Sequence, residues 1–197
     1  IQNNIDLSGE DGLVFIKKRS GTDPWNWFDT IRGVRKAIES NSFAGQSTKN
    51  LSLTSFNSDG FTLNGDGEVN GNSHEFCSWT FRKQPGFFDI QTYAGQNGHT
   101  QSHNLGSVPG MIIIKDLSGT NNWKVWHRSA STGVLELNTT AALDTASFSG
   151  NAIYNVTSTS FDLADWSPLS NTGKDYVAYI FAHDAQDFGE GSNEAII

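Results

Sequence analysis

Gly12-Leu-Val-Phe-Ile-Lys17 and Gly110-Met-Ile-Ile-Ile-Lys115 are one stretch written twice. Each continues in register. The first copy runs through Ser20-Gly-Thr22 to Trp25 and Phe28, the second through Ser118-Gly-Thr120 to Trp123 and Trp126. The spacing is 98 residues throughout, without a gap. An apolar run ending in Lys is common by chance, but the Ser-Gly-Thr and the Trp in the same register are not. At a spacing of 100 residues, Phe61-Thr-Leu63 matches Phe161-Asp-Leu163, and Phe76-Cys-Ser-Trp-Thr-Phe81 matches Tyr176-Val-Ala-Tyr-Ile-Phe181. Glu39-Ser-Asn41 matches Glu136-Leu-Asn138 more loosely. The chain is therefore a tandem of two related units. Gln84-Pro-Gly86 reads as the boundary, which gives units 1–84 and 85–197. Each has roughly the 90–100 residues of a small β-domain.

The repeated run is rich in β-branched and aromatic residues, so it reads as a strand. Val14 and Ile16 lie on one face and Leu13 and Phe15 on the other, the pattern of a central strand covered on both sides. Val34 to Glu39 has helical propensity, but its match to Val134-Leu-Glu-Leu137 favours a strand. Asn57-Ser-Asp-Gly60 marks a hairpin turn, and Gly95-Gln-Asn-Gly98 marks another between Phe87–Tyr93 and Gln101–Leu105. In Phe76–Arg82 the alternation sets Cys77, Trp79 and Phe81 on one face, matching Val177, Tyr179 and Phe181. That face is apolar in both units and is expected to be the core. A dozen or more short strands with no long helix predict an all-β fold. It is expected to be two tandem β-sandwich, jelly-roll or concanavalin-like units. The segment from Asp184 to Glu194 is acidic and polar, and reads as a connector.

Six Trp, thirteen Phe and abundant Gly describe a folded, turn-rich chain. A net charge of −8 argues against a nucleic-acid partner. Arg32, Arg35 and Lys36 form a small basic cluster that reads as a solvated edge. Cys77 is the sole cysteine, so packing rather than an internal disulfide holds the fold. No apolar run is long enough for membrane insertion, and no leader is read ahead of Ile1. The abrupt ends are read as joins to neighbouring units.

No catalytic constellation stands out. His74, His99, His103, His127 and His183 lack metal-ligand spacing. Asn64-Gly-Asp-Gly-Glu68 lacks the spacing of a calcium loop. No catalytic residue, metal or cofactor is assigned. Matches to the glycosylation pattern at Asn50, Asn138 and Asn155 are cheap in so Asn- and Thr-rich a chain. Trp25 and Trp123 follow turns and are expected to cap the sandwich ends. Trp27, Trp126 and Trp166 are the candidate ligand-binding residues, as exposed aromatic platforms for stacking on sugars.

Together these motifs resemble a known family. The residues that carry the resemblance include Phe28-Asp-Thr-Ile-Arg-Gly33, Leu53-Thr-Ser-Phe-Asn-Ser-Asp-Gly-Phe-Thr-Leu63, Ser78-Trp-Thr-Phe-Arg-Lys83, Phe88-Asp-Ile-Gln-Thr-Tyr93 and Tyr176-Val-Ala-Tyr-Ile-Phe-Ala-His183. With the two repeated strands they resemble repeat domains of tail-fibre-like virion proteins from marine and cyanobacterial tailed bacteriophages. The resemblance implies a non-enzymatic structural or host-attachment module on the surface of a virion. It implies other virion proteins as partners, a homo-oligomeric assembly, and a host surface glycan as ligand. Trp166-Ser-Pro168 departs from the first unit, which has a Gly-rich loop there. A capsid-decoration or spacer protein and a polysaccharide depolymerase are the alternatives.

Overall fold

The computed structural model describes residues 1–147, 150–183, 185–186 and 194–195. The chain divides into two compact units, Ile1–Lys83 and Gln84–Ile197. Gln84 thus falls in the second unit rather than the first.

The first unit holds strands β1 (Gly12–Lys18), β2 (Asn26–Asp29), β3 (Lys36–Glu39), β4 (Ser47–Thr48), β5 (Leu53–Asn57) and β6 (Gly60–Leu63). A one-turn helix α1 (Gly67–Asn70) and strand β7 (Phe76–Arg82) complete it. One antiparallel sheet has the order β4-β3-β2-β1-β7, and β5-β6 form a hairpin. Val14 and Ile16 of β1, Phe28 of β2 and Ala37 of β3 pack against Leu53, Phe61 and Val69 in one core. Burying each large apolar side chain there stabilises the unit by about 1.5–3 kcal/mol.

The second unit repeats this plan with β8 (Phe88–Ala94), β9 (His99–Ser102), β10 (Pro109–Asp116), β11 (Lys124–His127), β12 (Leu135–Glu136), β13 (Ile153–Tyr154) and β14 (Ser160–Leu163). Helix α2 (Ser167–Ser170) and β15 (Asp175–Ala182) follow. Its main sheet runs β12-β11-β10-β15-β8, and β13-β14-β9 make the second sheet. β10, β11 and β15 stand where β1, β2 and β7 stand. β8 and β9 are the additions, and they do not form the hairpin expected around Gly95–Gly98: β8 pairs with β15 in the main sheet and β9 with β14 in the second. Beyond β15, β16 (Ala185–Gln186) pairs with β17 (Glu194–Ala195). The rest of the connector read at 184–194 lies outside the described residues. The described chain is nearly all β with no helix longer than four residues. Lys36–Glu39 is a strand.

The structure explains why the repeated positions recur. A Cβ on Gly12 would sit 2.4 Å from the Phe81 carbonyl oxygen, and one on Gly110 would sit 2.6 Å from the Cβ of His183. Both glycines let the neighbouring strand approach. Lys17 Nζ donates to the Gly21 and Asp23 carbonyls at 3.2 and 3.0 Å. Lys115 Nζ donates to Asp116 and Asn121 carbonyls at 2.7 and 3.0 Å. Each lysine thereby ties its strand to the turn that follows. Asn41 Oδ1 accepts from the Trp25 amide at 3.0 Å, and Asn138 Oδ1 accepts from the Trp123 amide at 3.0 Å. The Glu-x-Asn match, loose in sequence, is the same lock in both units.

One expectation is reversed. The inter-sheet core takes Tyr176, Ala178, Ile180 and Ala182 from β15, not Val177, Tyr179 and Phe181. In the first unit Phe76, not Cys77 or Phe81, packs on the core. Trp79 is 46% exposed, whereas its counterpart Tyr179 is 0% exposed. Apolar character shared by the two units does not mark the core face here, because both faces of β15 are buried. On β7 the inward positions Ser78 and Thr80 are small and polar, and Thr80 Oγ1 accepts from Asn3 Nδ2 at 2.9 Å.

Candidate functional site

The hairpin of the second unit presents the site. Ile153 pairs with Leu163 and Tyr154 with Asp162. Ile153 and Leu163 point into the core. Alternation then turns Tyr154 and Asp162 outward, and Tyr154 is 39% exposed. The hairpin is closed by Thr157, whose Oγ1 accepts from the Thr159 and Ser160 amides at 3.2 and 3.0 Å. Asn155 sits in the left-handed region at φ 47°, a conformation Asn tolerates better than most residues. Its Nδ2 donates to Asp162 Oδ2 at 2.7 Å, and Thr100 Oγ1 donates to Asp162 Oδ1 at 2.6 Å. These two bonds hold the Asp162 carboxyl below its ordinary pKa. A cleft of about 500 Å³ opens beside Tyr154, lined by Gly150, Asn151, Asn155, Ala164 and Asp165.

The first unit builds the corresponding hairpin, with a register shift between Leu53 and Ser55, and without this decoration. Leu53 pairs with Leu63 as Ile153 pairs with Leu163. Thr54, Thr62 and Gly65 stand where the second unit has Tyr154, Asp162 and Asp165. The scaffold therefore does not require the aromatic ring or the carboxylates. An exposed ring flanked by amides and carboxylates on a rigid hairpin can stack on a flat apolar face and accept hydrogen bonds from hydroxyls around it.

A joint between the short helix segment and the main sheet is also built in both units, by different residues. In the first unit Lys49 Nζ bonds Asn26 Oδ1 and Glu39 Oε1, each at 2.9 Å, and pairs with Glu68 of α1. Burial pulls the Lys49 ammonium down, but Glu68 and Glu39 outweigh it and leave its pKa raised. In the second unit Lys124 pairs with Glu136 at 2.5 Å and lies 4.7 Å above the Trp166 ring. Both arrangements pin the short helix segment to the sheet.

Residues 2–190 match the model of a domain of unknown function, DUF7483. The chain belongs to this family. No curated protein matches it, and no solved structure matches it. The DUF7483 match runs through both units, so the tandem lies within the family's own domain.

The three tryptophans expected as sugar platforms are not laid out as platforms in this DUF7483 chain. Trp27 and Trp126 are buried. Trp126 occupies the core position that Phe28 takes in the first unit. Trp166 packs partly buried against the second core, beneath Lys124. Only Trp166 adjoins the cleft in sequence. The two caps differ: Trp25 is 43% exposed and Trp123 is 0% exposed. Reasoning from sequence passed over Tyr154. The available signal was its place beside the inward Ile153, with Thr as its counterpart in the other unit.

The remaining polar candidates have structural partners. Arg32 pairs with buried Asp29 at 2.5 Å and donates to the Trp27 and Lys36 carbonyls, which makes it a corner brace and not a solvated edge. In the Asn64–Glu68 loop, Asp66 caps α1 by accepting from the Glu68 amide at 3.0 Å. His103 stacks on Phe161, and burial lowers its pKa. Among the described residues no three His, Cys, Asp or Glu side chains group as a metal site.

Proposed function

We propose that this chain is a recognition module that holds a neutral saccharide weakly in the Tyr154 cleft. The observation that carries this reading is the exposed Tyr154 ring, flanked by Asn151, Asn155 and Asp165, on a hairpin whose counterpart in the first unit lacks the ring and the carboxylates. The net charge of −8 disfavours polyanionic glycans. The motif resemblance to tail-fibre-like virion proteins supports a setting on the surface of a phage particle, in a tail fibre or similar appendage. There a homo-oligomer would repeat the site, and linked weak sites gain avidity from effective concentration.

The rival reading is polysaccharide hydrolysis, favoured by two carboxylates, Asp162 and Asp165, three residues apart in sequence at the end of this hairpin. Hydrolysis needs one carboxyl with a raised pKa to act as the acid. Thr100 and Asn155 shift Asp162 the opposite way. The test incubates purified chain with neutral polysaccharides and follows both retention on the polymer and release of reducing ends. Retention that falls at least tenfold in Tyr154→Ala, with no release, is expected. Sustained release lost in Asp165→Asn would replace binding with turnover.

A further inference from the structure

The two main sheets have four edge strands, and three of them are guarded. β4 and β12 are two residues long. β8 carries Asp89, a buried inward carboxylate whose Oδ2 accepts from the Asn104 amide and Gln91 Nε2, each at 2.7 Å. Short edges and inward charges are standard devices against strand addition. β7 has none of them along Phe76–Thr80; its one charge, Arg82, stands at its very end. It is seven residues long and pairs with β1 along its whole length without a bulge. From Phe76 to Thr80 it contains no charge and no Pro. Among the described residues no strand pairs along its other side.

The second unit shows what such a strand accepts. β15, the counterpart of β7, is paired from Asp175–Ala94 to Phe181–Phe88 by β8. There Tyr179 lies opposite Ile90, and Phe88 packs 4.8 Å from Phe181. In the first unit Trp79 lies at the middle of the edge and stacks on Phe15 at 5.0 Å, with Trp25 on the same ring at 5.6 Å. Half-exposed Trp79 and Trp25 form an apolar shelf beside the edge.

We propose that β7 is a strand-acceptor site. Its occupant is an extended segment of another polypeptide with the chemistry of β8, pairing antiparallel along Phe76–Thr80. An apolar residue lies opposite Trp79, as Ile90 lies opposite Tyr179. Main-chain hydrogen bonds supply the affinity, and the tryptophan shelf supplies the selection. This inference is independent of the saccharide reading, because it concerns the other unit.

The probe is a synthetic peptide of residues 86–95, added to the full chain. Saturable binding is expected, with a blue shift of tryptophan emission and slowed amide exchange confined to residues 76–80. The same peptide carrying Ile90→Pro should bind at least tenfold more weakly. Ser78→Pro in the chain should abolish binding. Because that change risks the fold, Trp79→Lys, at an exposed position, provides the second arm and should weaken binding at least tenfold. No saturable binding, equal binding of both peptides, or protection outside 76–80 would overturn the proposal. Self-association of the chain that Trp79→Lys removes would also overturn it, by assigning the edge to a second copy.

Discussion

β7 and β15 hold the same place in their units, share aromatic residues at matching positions, and meet different surroundings. β15 lies between β10 and β8, and Tyr179 is fully buried. β7 ends its sheet, and Trp79 stays half in solvent. The same sequence pattern therefore produces a core strand in one unit and an edge strand in the other. What decides is whether a neighbouring strand exists, and that is not written in the strand itself.

The largest effects should separate these two positions. Tyr179→Ala is expected to cost about 3–5 kcal/mol, as truncation of a buried aromatic does. Trp79→Ala should cost only about 1 kcal/mol, the worth of its ring pair. Equilibrium denaturation of both variants measures the difference. Equal losses would break the comparison.

The paired lysines give the next largest effect. Burial, the chief cause, pushes Lys115 down to about 8. An unfolded chain holds a lysine proton to about pH 10.4. Between these values the unfolded state binds more protons, so stability rises with pH across that window, by up to about 3 kcal/mol. Lys115→Met should remove this rise, while Lys17→Met should leave it in place. Stability curves at fixed ionic strength from pH 7 to 10.5 would show it.

The smallest effect sharpens the match between units. Asn138→Ala should cost about 1 kcal/mol through loss of its bond to the Trp123 amide. Asn41→Ala, at an exposed position, should cost a few tenths. Thermal melts of the two variants resolve the difference.

Much of the scaffold was legible because it is written twice. The repeat gave the tandem, the strand at Lys36–Glu39 and the hairpin built as β5-β6 and β13-β14, since each has an independent copy. The hairpin expected around Gly95–Gly98 had no copy, and it does not form, because β8 pairs with β15 and β9 with β14. The core face of β7 and β15 was misread for the opposite reason. Comparing copies assumes equal surroundings, and β8 has no counterpart among the described strands of the first unit. The candidate site was the hardest to see. Tyr154 is a difference between the copies, and a search for repeated residues passes over what only one copy has. The tryptophans were misjudged because ring size does not report direction. Trp126 points into the core and Trp27 is buried, although both sit on strands of the same type.

The most direct test titrates uniformly ¹⁵N-labelled chain with a panel of neutral oligosaccharides and maps the amides that shift. Saturable shifts at residues 150–165, with the matching hairpin at 50–65 silent and the whole response lost in Tyr154→Thr, are the predicted result. Shifts that appear equally in both hairpins, or that survive Tyr154→Thr, would show that the cleft of the second unit is not the recognition site.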